Sequence, residues 1–331
     1  MISRSACWLM SPLRTRTTLL IFSVLFSTLV PRLGAQQATQ SLADTASSST
    51  ACLQRSIPLT VFPREQQLAA ELRQVQVFIN GSQVPASTPM VYTGPLRVML
   101  LIDSSASMRP IRGTTNWGVG LPTAGIALDA VPRNATVSVA TFAKHLKLTT
   151  WQDWSEARDT LLALQDEVPN RTTALYGALN ESVAAFGEPR LGDTIFLITD
   201  GLENSSKEML STVVANLVAH GIRVFVFLAA PPEHKELVES WALEDAEAVT
   251  GNTGGMLFRF PISKQWVASG EAAAMANRIQ SAMAHSYLVE IKLANPLTKR
   301  AKLKLETSLD PKRYTVAFPR RLEPCAASPQ P

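Results

Sequence analysis

Apolar and polar positions along this chain fall into blocks whose period changes from one region to the next. Short apolar runs at 97–102, 136–142, 194–199 and 222–229, with a shorter one near 256–260, read as strands buried on both faces. Stretches with helical spacing separate and follow them at 121–131, 155–165, 173–186, 207–219, 234–249 and 270–285. In 173–186, Leu175, Leu179, Val183 and Phe186 recur at helical spacing, which makes a core-facing stripe. Strands alternating with helices predict an α/β fold: a doubly wound, mostly parallel sheet flanked by helices.

The flanks follow a different rhythm. Residues 57–62 and 75–79 are strand-like, and the second run meets Asn80-Gly81, a strong hairpin signal. After the last helix, 287–293 alternates in part, 301–306 alternates cleanly and 314–318 makes a third run, as in an antiparallel meander with one solvated face. Small β additions are therefore expected at both flanks: a lead-in over 56–95 and an extension over 286–322.

The chemistry concentrates where strands end. Val98–Ile102 runs straight into Asp103-Ser104-Ser105-Ala106-Ser107, placing a carboxylate and hydroxyls on one tight loop. Hard divalent cations take oxygen ligands of this kind and keep some water. Ile195–Thr199 likewise ends in Asp200-Gly201, and ligands of parallel α/β sheets bind outside the carboxyl ends of strands. Asn170-Arg171-Thr172-Thr173 opens the intervening helix and offers further hydroxyls. Each piece alone is ordinary turn or cap chemistry. All three in order, beside strand-like runs, point to a cation site.

These residues resemble the metal-ion-dependent adhesion site of the von Willebrand factor type A domain. That pattern is D-x-S-x-S, then a Thr in a G-G-T-like loop, then the Asp of T-D-G. The chain supplies Asp103, Ser105, Ser107, Thr173 and Asp200. It departs from the pattern at Arg171-Thr172, where a glycine pair is usual, which makes Thr172 a substitute ligand; Ala106 replaces the commoner Gly between the serines. The resemblance covers roughly 96–285. It implies that Ser105, Ser107 and Thr173 touch a divalent cation (Mg²⁺ first, Mn²⁺ or Ca²⁺ as alternatives), with Asp103 and Asp200 often acting through water. An Asp or Glu of a partner protein then completes the coordination. It also implies a short edge strand at 145–150. Bacterial secreted proteins of this group carry a similar strand-rich lead-in and C-terminal extension, extending the resemblance to 57–322.

Composition adds a compartment. Residues 1–35 hold Arg4, Arg14, Arg16 and Arg32 and no acid, around an apolar core at 18–30. That is a secretory signal with a cut after Ala35; an uncleaved anchor is the alternative, although the core is short for a span. The stretch 36–55 is polar and reads as a flexible leader, and 323–331 as a disordered tail. The chain has 31 basic and 27 acidic residues, but without the signal's four arginines the counts are equal, which gives no support to nucleic-acid binding. Cys7 lies in the signal, leaving Cys52 and Cys325 as a candidate disulfide in an oxidising compartment.

An enzyme is not expected. His145, His220, His234 and His285 all fall outside the metal loops, and neither G-x-S-x-G nor a Walker loop is present. Asp103 as a phosphorylated nucleophile would want an acid two residues on, where Ser105 stands. The expected function is cation-dependent protein binding by an exported domain. The alternative is a structural or assembly module with a vestigial site, and a metal-dependent hydrolase ranks below both.

Overall fold

The computed structural model describes residues 52–64, 71–111, 114–170, 172–230, 238–263 and 265–324. All of them belong to one compact unit, Thr45–Pro331. The expected signal and tail (from 325), most of the leader, Arg171, His234 and Cys325 lie outside the described residues. Cys52 is disulfide-bonded.

In chain order the flank contributes β1 (Gln54–Pro63), β2 (Val75–Ile79), β3 (Ser82–Val84) and β4 (Met90–Val91). Then come β5 (Arg97–Asp103), a 3₁₀ turn at Ala106–Met108, and a small hairpin of β6 (Pro110–Ile111) and β7 (Thr114–Thr115). The body continues with α1 (Asn116–Asp129), β8 (Thr136–Phe142), β9 (Leu146–Leu148), α2 (Trp154–Ala163), α3 (Leu175–Phe186), β10 (Thr194–Thr199), α4 (Leu210–Ala219), β11 (Arg223–Ala230), α5 (Val238–Thr253), β12 (Leu257–Pro261) and α6 (Gly270–Ala284). The C-terminal strands are β13 (Ser286–Lys292), β14 (Ala301–Thr307), β15 (Tyr314–Ala317) and β16 (Arg321–Leu322).

The central sheet has six strands in the order β12-β11-β10-β5-β8-β9. All its neighbours run parallel except β9, which hairpins back antiparallel on β8. Its apolar runs are continuous because successive side chains enter two different cores. On β5, Val98, Leu100 and Ile102 join the cluster under α1, α2 and α6, whereas Met99 and Leu101 join the one under α3, α4 and α5. Strands β10 and β11 split the same way. Phe196, Phe225, Phe227 and Phe258 form an aromatic row on the first face, with ring centroids 5.1–5.6 Å apart. The stripe on α3, Leu175, Leu179, Val183 and Phe186, is fully buried.

Helix α1 starts five residues before the expected point, and Pro122 lies inside it. The burial of Trp117, Val119 and Leu121 extends the helix backwards. Helix α2 carries a full capping box: Asp153 accepts from the Ser155 and Glu156 amides at 2.8 and 3.0 Å, and the Glu156 carboxylate accepts from the Asp153 amide.

The expected C-terminal meander is not what forms. Strand β13 pairs with β1, β15 pairs with β1, and β14 pairs with β2, giving two four-stranded sheets in the orders β15-β1-β13-β4 and β16-β14-β2-β3. The lead-in and the extension are thus one structure. Their alternating apolar faces close a third core of Ile57, Leu59, Val61, Val77, Val289, Ile291 and Leu303. Period-two alternation says which face is buried but not which edge pairs, and here the free edges belong to strands more than 200 residues away. The Asn80-Gly81 turn does join β2 to β3, with φ of 49° and 89° as a primed hairpin turn requires.

Two arginines secure the end of the sheet opposite the candidate site. Arg97 grips Asp193 bidentately at 2.8 and 2.6 Å. Arg223 is wholly buried at the start of β11 and donates to Thr60 on β1 (2.8 Å), Ser286 on β13 (2.9 Å) and Thr194 on β10 (3.2 Å). It therefore pins the central sheet to the flanking one.

Candidate metal centre

Sequence order along the central sheet reverses at β5, since β8 lies on one side of it and β10 on the other. A crevice forms at the carboxyl ends of strands at such a switch point. Asp103 ends β5, and Asp200 follows the last residue of β10. The parallel register sets Ile198 against Ile102, which carries Thr199 to the level of Asp103.

Asp103 is completely buried. Its Oδ1 accepts from the Ser105 amide at 2.9 Å, and its Oδ2 accepts from the Thr199 hydroxyl at 2.7 Å. Burial, and after it the charge of Asp200, pushes its carboxyl up to about 7, while the hydrogen bonds from Ser105 and Thr199 pull the other way. Ser105 is also buried, and its Oγ lies 3.0 Å from that of Ser107. The 3₁₀ turn that follows brings this second hydroxyl back beside the first.

Three bonds stitch the loops together. The Ser104 amide donates to Phe142 O at 2.7 Å, the Asn170 amide to Ser104 O at 3.0 Å, and the Ala174 amide to Ala143 O at 2.8 Å. Arg109 Nε also donates to Pro169 O. Between Asn170 and Ala174, Thr173 is 1% exposed while Thr172 lies open to solvent, so Thr173 is the threonine carried inward. The expected substitute, Thr172, is on the outside.

Asp103, Ser105 and Ser107 are therefore brought together, Asp200 stands close enough to act on Asp103 electrostatically, and Thr173 is held in the adjoining loop. Among the described residues no group of three or more His, Cys, Asp or Glu could hold a metal. A site built from two carboxylates and neutral hydroxyls is of another kind. The donor set fits a hard cation: every candidate ligand is an oxygen, and the two carboxylates supply negative charge to balance it. His220 Nδ1 instead donates to Asn216 O and His285 Nδ1 to Ser281 O, at helix ends, and His145 is exposed.

Sequence reasoning did not foresee the work of Thr199, which holds Asp103, nor of Asn204, Glu203 and Ser206 in the segment after Asp200. The polar run Glu203-Asn204-Ser205-Ser206 was the available signal. Gly201 shows why the motif ends in glycine. Its φ is +79°, and a Cβ there would meet Ala242 Cβ at 2.5 Å and Leu228 Cδ1 at 2.9 Å. Gly201→Ala is expected to destabilise the fold by about 2 kcal/mol or more in denaturant unfolding. A loss below about 0.5 kcal/mol would contradict this close packing.

No family model matches the chain, and no curated protein does. Solved structures do resemble it. One is a von Willebrand factor type A protein from Catenulispora acidiphila, 12% identical over 82% of this chain and 75% of that one, with a TM-score of 0.45. The likeness runs to von Willebrand factor type A domains. An aerotolerance-related membrane protein from Bacteroides fragilis is 18% identical over 57% of this chain and 98% of that one, with a TM-score of 0.44. The manganese-loaded TRAP protein of Plasmodium vivax is 14% identical over 75% and 97%, with a TM-score of 0.43. The fold class itself rests on the strand order and the two helical layers. No helix among the described residues is long and apolar enough to cross a membrane.

Proposed function

We propose that this chain is an exported von Willebrand factor type A module that holds a divalent cation, Mg²⁺ first, with Asp103, Ser105, Ser107, Thr173 and Asp200. Through the cation it binds an acidic side chain of a partner protein. The observation that carries the reading is the wholly buried Asp103, raised to about 7 beside the acid Asp200 and next to two converging hydroxyls. A cation bound there supplies an electrophilic position for the partner's carboxylate.

The chain's own residues prepare that position. Thr199 and the Ser105 amide orient both oxygens of Asp103. Ser105 and Ser107 offer neutral oxygens, so the bound cation keeps charge for the incoming acid. No turnover is part of this reading, since no acid stands two residues after Asp103 and the described histidines are engaged or exposed elsewhere. The test is capture of protein partners from the extracytoplasmic fraction by the immobilised chain. Capture should occur in Mg²⁺ and be lost in chelator and in Asp103→Ala and Ser105→Ala. Equal capture under all four conditions would falsify the metal mechanism.

A pH dependence follows. The carboxyl of Asp103 lies above its unfolded value of about 3.8, so the stability it contributes as a neutral group is present below about pH 4 and lost as pH rises through about 7. In chelator the melting temperature should therefore fall over that interval. A cation favours the carboxylate and releases its proton, so the gain in melting temperature on adding Mg²⁺ should grow from about pH 5 to about pH 8. A gain that stays flat across this range would contradict the role given to Asp103.

A further inference from the structure

We infer that the segment just after Asp200 is a clamp that positions Thr173, with Asn204 and Glu203 as its working residues. The inference rests on the cation reading proposed above and says how that site is assembled. Thr173 is nearly inaccessible to water, so its backbone groups need partners within the protein. All of those partners come from one place. The Thr173 amide donates to Asn204 Oδ1 at 2.9 Å, and the Thr173 carbonyl accepts from the amides of Asn204 and Ser205, both at 3.1 Å.

The same segment caps the helix that Thr173 precedes. Helix α3 has Ala174 at its N-cap, with no side-chain cap of its own. The Tyr176 amide donates instead to Glu203 Oε2 at 3.0 Å, and the Gly177 amide to Ser206 Oγ at 2.9 Å. Glu203 is held in turn: its Oε1 accepts from the Ser205 and Ser206 amides, each at 2.8 Å, and its Oε2 accepts from Ser206 Oγ at 2.7 Å. Glu203 and Ser206 thus satisfy two orphan amides of a helix start that is far away in sequence. A carboxylate at that position also complements the helix dipole.

Two consequences follow. Thr173 is held by Asn204 and Ser205 from beyond Asp200, and not by its own loop alone. Asp200 and Thr173, 27 residues apart in sequence, also become one mechanical unit, since the clamp begins three residues after Asp200. Drawing Asp200 and Thr173 onto a cation should therefore tighten the cap of α3.

The test uses the full chain, calorimetric Mg²⁺ titration and residue-resolved amide exchange. In the wild type, Mg²⁺ should slow exchange at Thr173, Tyr176 and Gly177. Asn204→Ala should weaken Mg²⁺ at least tenfold, speed exchange at Thr173 and abolish the Mg²⁺-dependent slowing at Tyr176 and Gly177. Asn204→Asp keeps the accepting oxygen and should restore exchange protection and at least wild-type affinity, which excludes general loosening as the cause. If the wild type binds Mg²⁺ and Asn204→Ala binds it as tightly, or if Mg²⁺ leaves the three amides unchanged, the clamp is overturned and the site survives. A wild type with no saturable heat overturns both.

Discussion

Asp103→Asn is expected to abolish saturable Mg²⁺ binding and, in chelator at about pH 8, to unfold at a higher temperature than the wild type. The two effects have one cause. A carboxylate taken wholly out of water and set near another acid is costly when charged. Asparagine keeps an oxygen for the Ser105 amide, and its amide group can donate to the Thr199 hydroxyl, so both native contacts have a counterpart. The charge goes and the contacts stay. One unit of pKa displacement corresponds to about 1.4 kcal/mol, so a gain of about 1–3 kcal/mol is expected where the wild-type acid is ionised. Below about pH 4 the advantage should vanish. If Asp103→Asn proves less stable than the wild type in chelator at pH 8, Asp103 is a structural acid and the cation reading loses its main support.

Arg223→Ala carries the second large effect, a loss of about 3–5 kcal/mol in denaturant unfolding at pH 7. The guanidinium is fully buried, and burial lowers its pKa to about 10, with the charges of Tyr92 and Asp193 opposing that fall. Among the described residues its Nε has no hydrogen-bond partner. Its value therefore lies in filling space and in donating to Thr60, Ser286 and Thr194, which stand on three different strands. Alanine empties that space between the sheets. Arg223→Met keeps most of the volume and removes a desolvated charge, so it should cost no more than about 1.5 kcal/mol. Equal losses in the two variants would show that the bonds, and not the packing, hold the sheets together.

The central sheet and its switch point were legible because their signals are local. A run such as Val98–Ile102, apolar at every position, admits few readings other than a strand covered on both faces, and the acids at the strand ends mark the crevice. Asp103, Ser105 and Ser107 are legible for the same reason, lying on one turn. What sequence could not show depends on distant partners. Strand β14 alternates as cleanly as a meander strand would, yet its partner β2 lies in the lead-in. Nothing within the run 222–229 marks Arg223 as interior, and only the packing of β1 and β13 across that end buries it. Asn204 and Glu203 look like loop polarity until Thr173 and the start of α3 are placed against them.

The cation itself is the most direct point of test. Calorimetric titration of Mg²⁺ into the chelator-stripped full chain at about pH 8, beside Asp103→Asn, should give saturable heat with one cation per wild-type chain and none for the variant. Wild-type heat no different from the buffer blank, or identical binding by both proteins, would contradict the site described here.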